Sequence, residues 1–310
     1  MFSVIFPGQG SQIVGMGKEL HSKFDIVKKL FKEADETLGF SLSNIILEGS
    51  KEELDLTENT QPAIFLMSYA IFKLTKDEFN INLNKADYFA GHSLGEYSAL
   101  ACAGSLSFSE TLKILKIRGK AMQESVPKGQ GGMVAILGST ISIIESMLKE
   151  NSNKYLCFIA NDNSEGQIVV SGNNEDLEKL MIDLKSRNIK NIKLPVSAPF
   201  HCNLMNKATQ IMNKEIDQLN FKDPNNVLIS NVTAKEITDS TELKKLLIKQ
   251  IESRVRWRES VLLMINRGVN QFIEIGPGKV LSGLVKRIDR KIKVSAINNE
   301  EDITLININD

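Results

Sequence analysis

A serine framed by glycines, Gly91-His92-Ser93-Leu94-Gly95, is the stretch of this 310-residue chain best suited to chemistry. The pattern G-x-S-x-G is that of a nucleophile elbow, where the serine sits on a strained strand-to-helix turn with its hydroxyl above a sheet. It is short enough to arise by chance in a glycine-rich loop, so a purely structural turn is the competing reading. The flanks favour the nucleophile. Residues 86–90 suit a short strand, and 94–103 are good helix formers halted at Gly104, where a C′ glycine belongs. Such a helix points its N-terminal N–H groups at Ser93, where they would oppose developing negative charge.

A serine hydroxyl needs a neighbour to take its proton, and histidine is the usual one because it titrates near neutrality. The chain has 3 histidines. His21 falls in a helical stretch with nothing reactive around it and reads as a surface residue. His92 adjoins the serine, but adjacent side chains on a sharp turn diverge, so its expected part is to brace the elbow. His201, in Ser197-Ala198-Pro199-Phe200-His201, is left as the general base. Ordinary α/β-hydrolases follow the order Ser, acid, His, with the histidine near the end of the fold. Here a long stretch follows His201 and no aspartate motif stands out, so a backbone carbonyl is the expected partner of the imidazole. A base without a carboxylate suits a leaving group of low basicity. A thiol, with a pKa of about 8.5, fits better than an amine, which favours thioester chemistry over amide hydrolysis.

Strands and helices must bring these distant points together. Residues 3–6 read as a strand, Pro7-Gly8-Gln9-Gly10-Ser11-Gln12 as a loop and 17–38 as largely helical, an order that suits an anion or oxyanion site. The dinucleotide fingerprint fails because Ile13 stands where its third glycine belongs. A buried helix is expected from Glu58-Asn59-Thr60-Gln61-Pro62 onward, with Thr60 as its N-cap. A further helix, capped by Ser107 or Ser109, runs to about 125 and carries Arg118. From spacing alone, an arginine on a mostly apolar helix is as a rule solvated or snorkelling.

Between 131 and 196 the pattern changes. Strands at 133–137, 155–160, 167–171 and 189–196 alternate with a helix opened by a Ser142-x-x-Glu145 capping box and one marked by Leu177, Leu180, Met181 and Leu184. That βαββαβ order is the ferredoxin-like plan. We therefore expect a small inserted domain at 128–196 and a larger one built from 1–127 and 197–310. In the larger domain strands and helices continue to alternate: a helix at 204–219, strand 226–231, helix 242–252 and strand 271–275. The fold class is α/β, with a mainly parallel sheet covered on both faces. The tail 303–310 is expected to be weakly ordered.

Composition narrows the partners. With 38 basic and 38 acidic residues the formal net charge is zero, which gives no support for nucleic acid as a partner. Cys102, Cys157 and Cys202 are odd in number and widely spaced, so neither a disulfide framework nor a metal site is indicated. No apolar run approaches a membrane span of about 18 residues. A cytoplasmic, monomeric protein is expected.

Four of these segments stand together in a known family. Phe6-Pro7-Gly8-Gln9-Gly10-Ser11-Gln12, Gly91-His92-Ser93-Leu94-Gly95-Glu96, Arg118-Gly119-Lys120-Ala121-Met122 and Ala198-Pro199-Phe200-His201 resemble the malonyl-CoA:acyl carrier protein transacylases. Asn161-x-Asn163, the run 166–172, Gln250 and the run 274–281 extend the resemblance over essentially the whole chain. It implies a hydrolase-like large domain with a ferredoxin-like insert, and no permanently bound cofactor. The implied reaction moves a malonyl group from malonyl-CoA to the phosphopantetheine thiol of acyl carrier protein, with ping-pong kinetics, for fatty acid synthesis.

The resemblance also implies roles. Ser93 would be the nucleophile and His201 its base, with the backbone N–H groups of Gln9 and Leu94 as the oxyanion hole. Arg118 would grip the malonyl carboxylate, and Gln250 would position His201 through its main-chain carbonyl, its side chain mattering less. His92 and Asn161 would support the site. Phe200 matches the malonyl-selective form of its motif. The carrier protein would be a separate, acidic molecule. Lys286, Arg287, Arg290, Lys291 and Lys293 are candidates for its docking patch, against the plainer reading of a solvated helix face and strand edge. Two rivals remain at this stage: a serine thioesterase or esterase with water as acceptor, and a non-catalytic acyl-CoA-binding protein of the same fold.

Overall fold

The computed structural model describes residues 1–196 and 198–306. Strand β1 (Phe2–Phe6) is buried along its whole length, as an apolar strand covered on both faces must be. Beside it lies β2 (Tyr88–Gly91), parallel and in a register that sets Phe6 against Gly91. That pairing places the loop leaving β1 next to the turn leaving β2, at the carboxyl end of a parallel sheet where α/β proteins build their sites.

The second sheet arises from β3 (Gly131–Leu137), β4 (Cys157–Ser164), β5 (Gln167–Asn173) and β6 (Lys190–Lys193). Its order is β4-β5-β3-β6, antiparallel throughout. Helices Ile141–Glu150 and Asn174–Ser186 complete the βαββαβ plan and cover one face with Ile144, Met147, Leu177, Leu180 and Leu184. The chain then returns to the first sheet through β7 (Val227–Ile229), β8 (Glu236–Ile237), β9 (Gln271–Ile275) and β10 (Lys293–Ile297). The six-stranded order is β10-β9-β1-β2-β7-β8, parallel except for β8. The α/β class with a mainly parallel sheet and an antiparallel βαββαβ unit is as expected.

Several contacts fasten the small sheet to the larger unit, two of them on β4. Asn161 in β4 bridges Val255 in parallel, and the buried carboxylate of Asp162 pairs with Arg258 at 2.9 Å. The rest of the core is carried by helix Thr57–Asp77, most of whose residues are buried, packed on helix Phe108–Glu124 and helix Leu94–Cys102.

Several local expectations need correction. The long buried helix begins at Thr57, not around Thr60. Thr60 lies inside it and donates to the Leu54 carbonyl, so its hydroxyl satisfies an upstream acceptor instead of capping. Thr140, not Ser142, caps helix Ile141–Glu150, and Glu145 reaches outward to Arg254. Residues 17–38 form two helices, Lys18–Lys23 and Asp25–Leu38, broken at the extended residue Phe24. The helix Glu300–Leu305 seats Ile303 in the core, so the tail is ordered further than expected. The remainder of that tail, 307–310, and Ser197 at the expected domain boundary lie outside the described residues.

Candidate active site

The turn after β2 throws Ser93 to φ 55°, ψ −111°, a conformation that L-residues avoid. Two close approaches impose it. A Cβ on Gly91 would overlap the Gly95 backbone, and one on Gly95 would overlap the Phe6 carbonyl oxygen. Glycine at both positions therefore lets strand, turn and helix Leu94–Cys102 meet the end of β1. Asn231, just past β7, locks the turn from the other side: its Oδ1 accepts from the Ser93 N–H at 2.7 Å and its Nδ2 donates to the Gly91 carbonyl at 2.7 Å.

The Ser93 Oγ lies 2.8 Å from His201 Nε2. The other ring nitrogen, Nδ1, lies 2.9 Å from the Gln250 carbonyl oxygen, which fixes the proton on Nδ1 and leaves Nε2 free to accept. His201 is itself at φ 58° and buried, and the Ser171 hydroxyl holds the preceding Phe200 carbonyl at 2.6 Å. Burial first, and the nearby Arg118 charge second, push the imidazole pKa down to about 3. The ring is thus neutral at physiological pH and able to accept a proton.

Arg118 is neither solvated nor snorkelling: it is 1% exposed. Its Nη1 donates to Gln61 Oε1 at 2.8 Å, and its Nη2 donates to Gln250 Oε1 at 2.8 Å and to Ser93 Oγ at 3.1 Å. Tyr97 lies alongside, its ring centroid 5.4 Å from the guanidinium carbon. Among the described residues no carboxylate hydrogen-bonds this buried cation; neutral oxygens hold it. A desolvated guanidinium pre-positioned beside a serine hydroxyl is a site for an anionic acyl group.

Gln9, Ser93, Leu94, Arg118, Asn161, Phe200 and His201 all line one cavity of about 360 Å³, together with Gln12, Lys51 and Asp55 among others. His92 also borders the cavity and braces the turn, its Nε2 2.8 Å from Asn163 Oδ1 and its ring against the buried Trp257. So the bracing partner of His92 is Asn163, while Asn161 faces the cavity. His21 is half-buried against Phe31. The side chain of Gln250, expected to matter less than its carbonyl, instead bonds Arg118, the Ser93 carbonyl at 3.0 Å and Glu96 at 2.7 Å. Of the five basic residues considered for docking, none lines the cavity. Lys286 is tied to the Arg290 and Ile292 carbonyls and Arg287 to Gln167.

Asn231 and Glu96 were not among the sequence candidates. Asn231 sits on a loop with no local signal. Glu96 had one: it is the single charged side chain of helix Leu94–Cys102. Among the described residues no group of three or more His, Cys, Asp or Glu could hold a metal ion, and no helix is long and apolar enough to cross a membrane.

A serine on an elbow over a parallel sheet, beside a neutral imidazole and a buried guanidinium, defines a serine-based acyl-transfer protein as a class. The chain belongs to the acyl transferase domain family, whose model matches residues 3–304. Within it, the relatives are malonyl CoA-acyl carrier protein transacylases. That of Bacillus subtilis (strain 168) is 45% identical over 303 residues, covering 97% of this chain and 94% of that protein. That of Escherichia coli (strain K12) is 38% identical over 298 residues, covering 96% of each. The crystal structure of acyl-carrier-protein-S-malonyltransferase from Bartonella henselae superposes with a TM-score of 0.95 at 40% identity, covering 98% of this chain and 97% of that one. A malonyl-transacylase in complex with a type II PKS acyl-carrier protein gives 0.93 at 37% identity, covering 98% and 97%.

Proposed function

We propose that Ser93 and His201 carry out, in this chain, the reaction of its family: transfer of a malonyl group from coenzyme A to acyl carrier protein, for fatty acid synthesis, through an acyl-enzyme. The observation that supports this most is the Ser93 Oγ to His201 Nε2 contact of 2.8 Å, made beside a buried arginine held only by neutral oxygens.

In the first half-reaction Ser93 Oγ attacks the thioester carbonyl carbon while its proton passes to His201 Nε2. The oxyanion of the tetrahedral intermediate is met by the backbone N–H groups of Gln9 and Leu94. Its collapse breaks the carbon–sulfur bond, and the imidazolium returns the proton to the departing coenzyme A thiolate. The phosphopantetheine thiol of the carrier protein then repeats the steps in reverse, giving its proton to His201 and releasing Ser93. Arg118 pairs with the free malonyl carboxylate, and the Gln250 carbonyl keeps the imidazole in its accepting tautomer. No cofactor takes part. The thiol leaving group explains why a carbonyl can stand where many serine enzymes place a carboxylate.

We further propose that the working unit is a monomer, since one chain supplies the whole site, with an inserted domain at 128–196. The free, buried Cys102, Cys157 and Cys202 suit a reducing cytoplasm. The test is intact mass after malonyl-CoA, then after addition of phosphopantetheinylated carrier protein. A malonyl adduct that is absent in Ser93→Ala and moves to the carrier is expected. Free malonate without malonylated carrier refutes the transfer, and no adduct at all refutes the catalysis.

A further inference from the structure

One buried carboxylate has no part in the chemistry above. Glu96, on the first turn of helix Leu94–Cys102, is 1% exposed. Its Oε2 accepts from Gln250 Nε2 at 2.7 Å and from the Asn231 backbone N–H at 3.2 Å. Those two residues between them contact Arg118, His201 and the Ser93 turn. Gln250 presents Oε1 to Arg118 and its main-chain carbonyl to His201, and its Nε2 also donates to the Ser93 carbonyl. Asn231 fixes the Ser93 N–H and the Gly91 carbonyl.

A carboxamide has one accepting and one donating end, and only its surroundings decide which way it faces. An ionised carboxylate accepts only. Beside Glu96, the Gln250 amide must turn its NH2 toward Glu96 and its oxygen toward Arg118. The negative charge also reaches the buried guanidinium through one polarised amide, which helps keep Arg118 charged without occupying the face a substrate carboxylate needs.

We propose that Glu96 is a positioning residue for malonyl transfer: its ionised carboxylate orients the Gln250 carboxamide and the Asn231 backbone, and through them Arg118, His201 and Ser93. This rests on the acyl-transfer reading of the site. A neutral group at 96, whether protonated Glu or Gln, carries a donor as well as an acceptor, so the amide keeps only the Arg118 donor and the Ser93 carbonyl to hold its orientation and loses the charge-assisted anchor at its NH2 end.

The proposal has a pH signature. Burial raises the Glu96 pKa to about 7, against the opposing pull of the Gln250 and Asn231 hydrogen bonds and the Arg118 charge. The ionisable groups acting on it are Arg118, from helix Phe108–Glu124, and Tyr97, on its own helix and raised to about 12. Gln250 and the Asn231 backbone approach it as neutral groups. His201, lowered to about 3, does not titrate in the same range. Glu96 is ionised above its pKa, so Ser93 acylation is supported above that pH and declines as pH falls through it.

The experiment follows Ser93 malonylation by malonyl-CoA alone, by rapid-quench intact mass, from pH 5 to pH 9 in wild type and in Glu96→Gln. Thermal melts run in parallel, with Ser93→Ala as the blank. We expect an acid limb near pH 7 in wild type. In Glu96→Gln that limb is abolished and acylation at pH 8 is slower by about 10- to 100-fold, the scale of losing an outer-shell partner. Acylation of Glu96→Gln at the wild-type rate, or a limb that survives in it, overturns the proposal while leaving the function intact. If the variant does not fold, a wild-type profile flat across pH 7 overturns it alone. Absence of any wild-type adduct overturns the functional reading and this proposal together.

Discussion

Replacing Arg118 by alanine separates recognition of the acyl group from the chemistry performed on it. A malonyl carboxylate paired with the guanidinium gains two charge-assisted hydrogen bonds, each of about 1.5–3 kcal/mol in a buried setting. The pre-positioning by Gln61 and Gln250, both at 2.8 Å, means that little of this is lost to ordering the arginine. The expected loss in kcat/KM for malonyl transfer is therefore about 3–6 kcal/mol, roughly a hundredfold to ten-thousandfold. Acetyl-CoA brings no carboxylate, so its transfer is expected to change by less than about tenfold. It can even rise, because the variant removes the Nη2 donor 3.1 Å from Ser93 Oγ and the charge that disfavours protonation of His201. The control is stability: the Gln61 and Gln250 amide oxygens are left without their donor, at a cost of about 1–3 kcal/mol each. Arg118→Met, which fills the volume, should reproduce the selectivity change. The assay is kcat/KM for both thioesters with one carrier protein. Equal losses on malonyl and acetyl groups refute the reasoning and make Arg118 a structural residue.

Two backbone predictions follow from the elbow. Ser93→Ala and Ser93→Gly should both lose acylation, but Ser93→Gly should be the more stable by about 1–2 kcal/mol in urea unfolding, since only glycine accepts φ 55°, ψ −111° without strain; equal midpoints would mean the turn stores no strain. Gly95→Ala gains helix propensity of about 1 kcal/mol yet should destabilise the protein by about 3 kcal/mol, because the new methyl overlaps the Phe6 carbonyl oxygen. A melting temperature equal to wild type would show that helix and strand can move apart.

What the sequence revealed and what it hid have a physical boundary. The elbow was legible because its glycines, strand and helix lie within about twenty residues of one another. His201 was legible because histidines are few. The βαββαβ unit was legible from periodicity, since its strands and helices follow one another without interruption, although β3 pairs with β5 and β6 across most of the unit. Arg118 was legible only through the family resemblance: spacing alone reads an arginine on a mostly apolar helix as solvated or snorkelling, and it is the packing of helix Thr57–Asp77 and the side chain of Gln250 around it that makes it a buried cation. Asn231 was invisible because its partners, Ser93 and Gly91, are remote in sequence and joined to it only by the pairing of β7 with β2. Capping signals misled locally. Thr60 and Ser142 both fit the pattern of a helix start, but Leu56 and Thr140 hold those positions. The short strand β8 and helix Trp257–Asn266 carried too little periodicity to be placed.

The electrostatics of the centre explain why an anionic acyl group suits it. In the free protein the imidazole is held neutral by burial and by the guanidinium, so proton transfer from Ser93 would place a second positive charge beside Arg118. A carboxylate paired with Arg118 removes that opposition. If Arg118 holds the substrate carboxylate as proposed, that ion pair also favours the imidazolium formed on attack by Ser93, whereas a neutral acyl group would leave the two cations in conflict. Selectivity for malonyl would then be expressed in the chemical step as well as in binding, which is where differential stabilisation raises rate. The arrangement needs Arg118 charged yet uncommitted. Amide oxygens meet that need and a carboxylate would not, since a direct ion pair would already occupy the face the substrate must reach. Glu96, whose charge acts on Arg118, accordingly stands one residue back, behind Gln250.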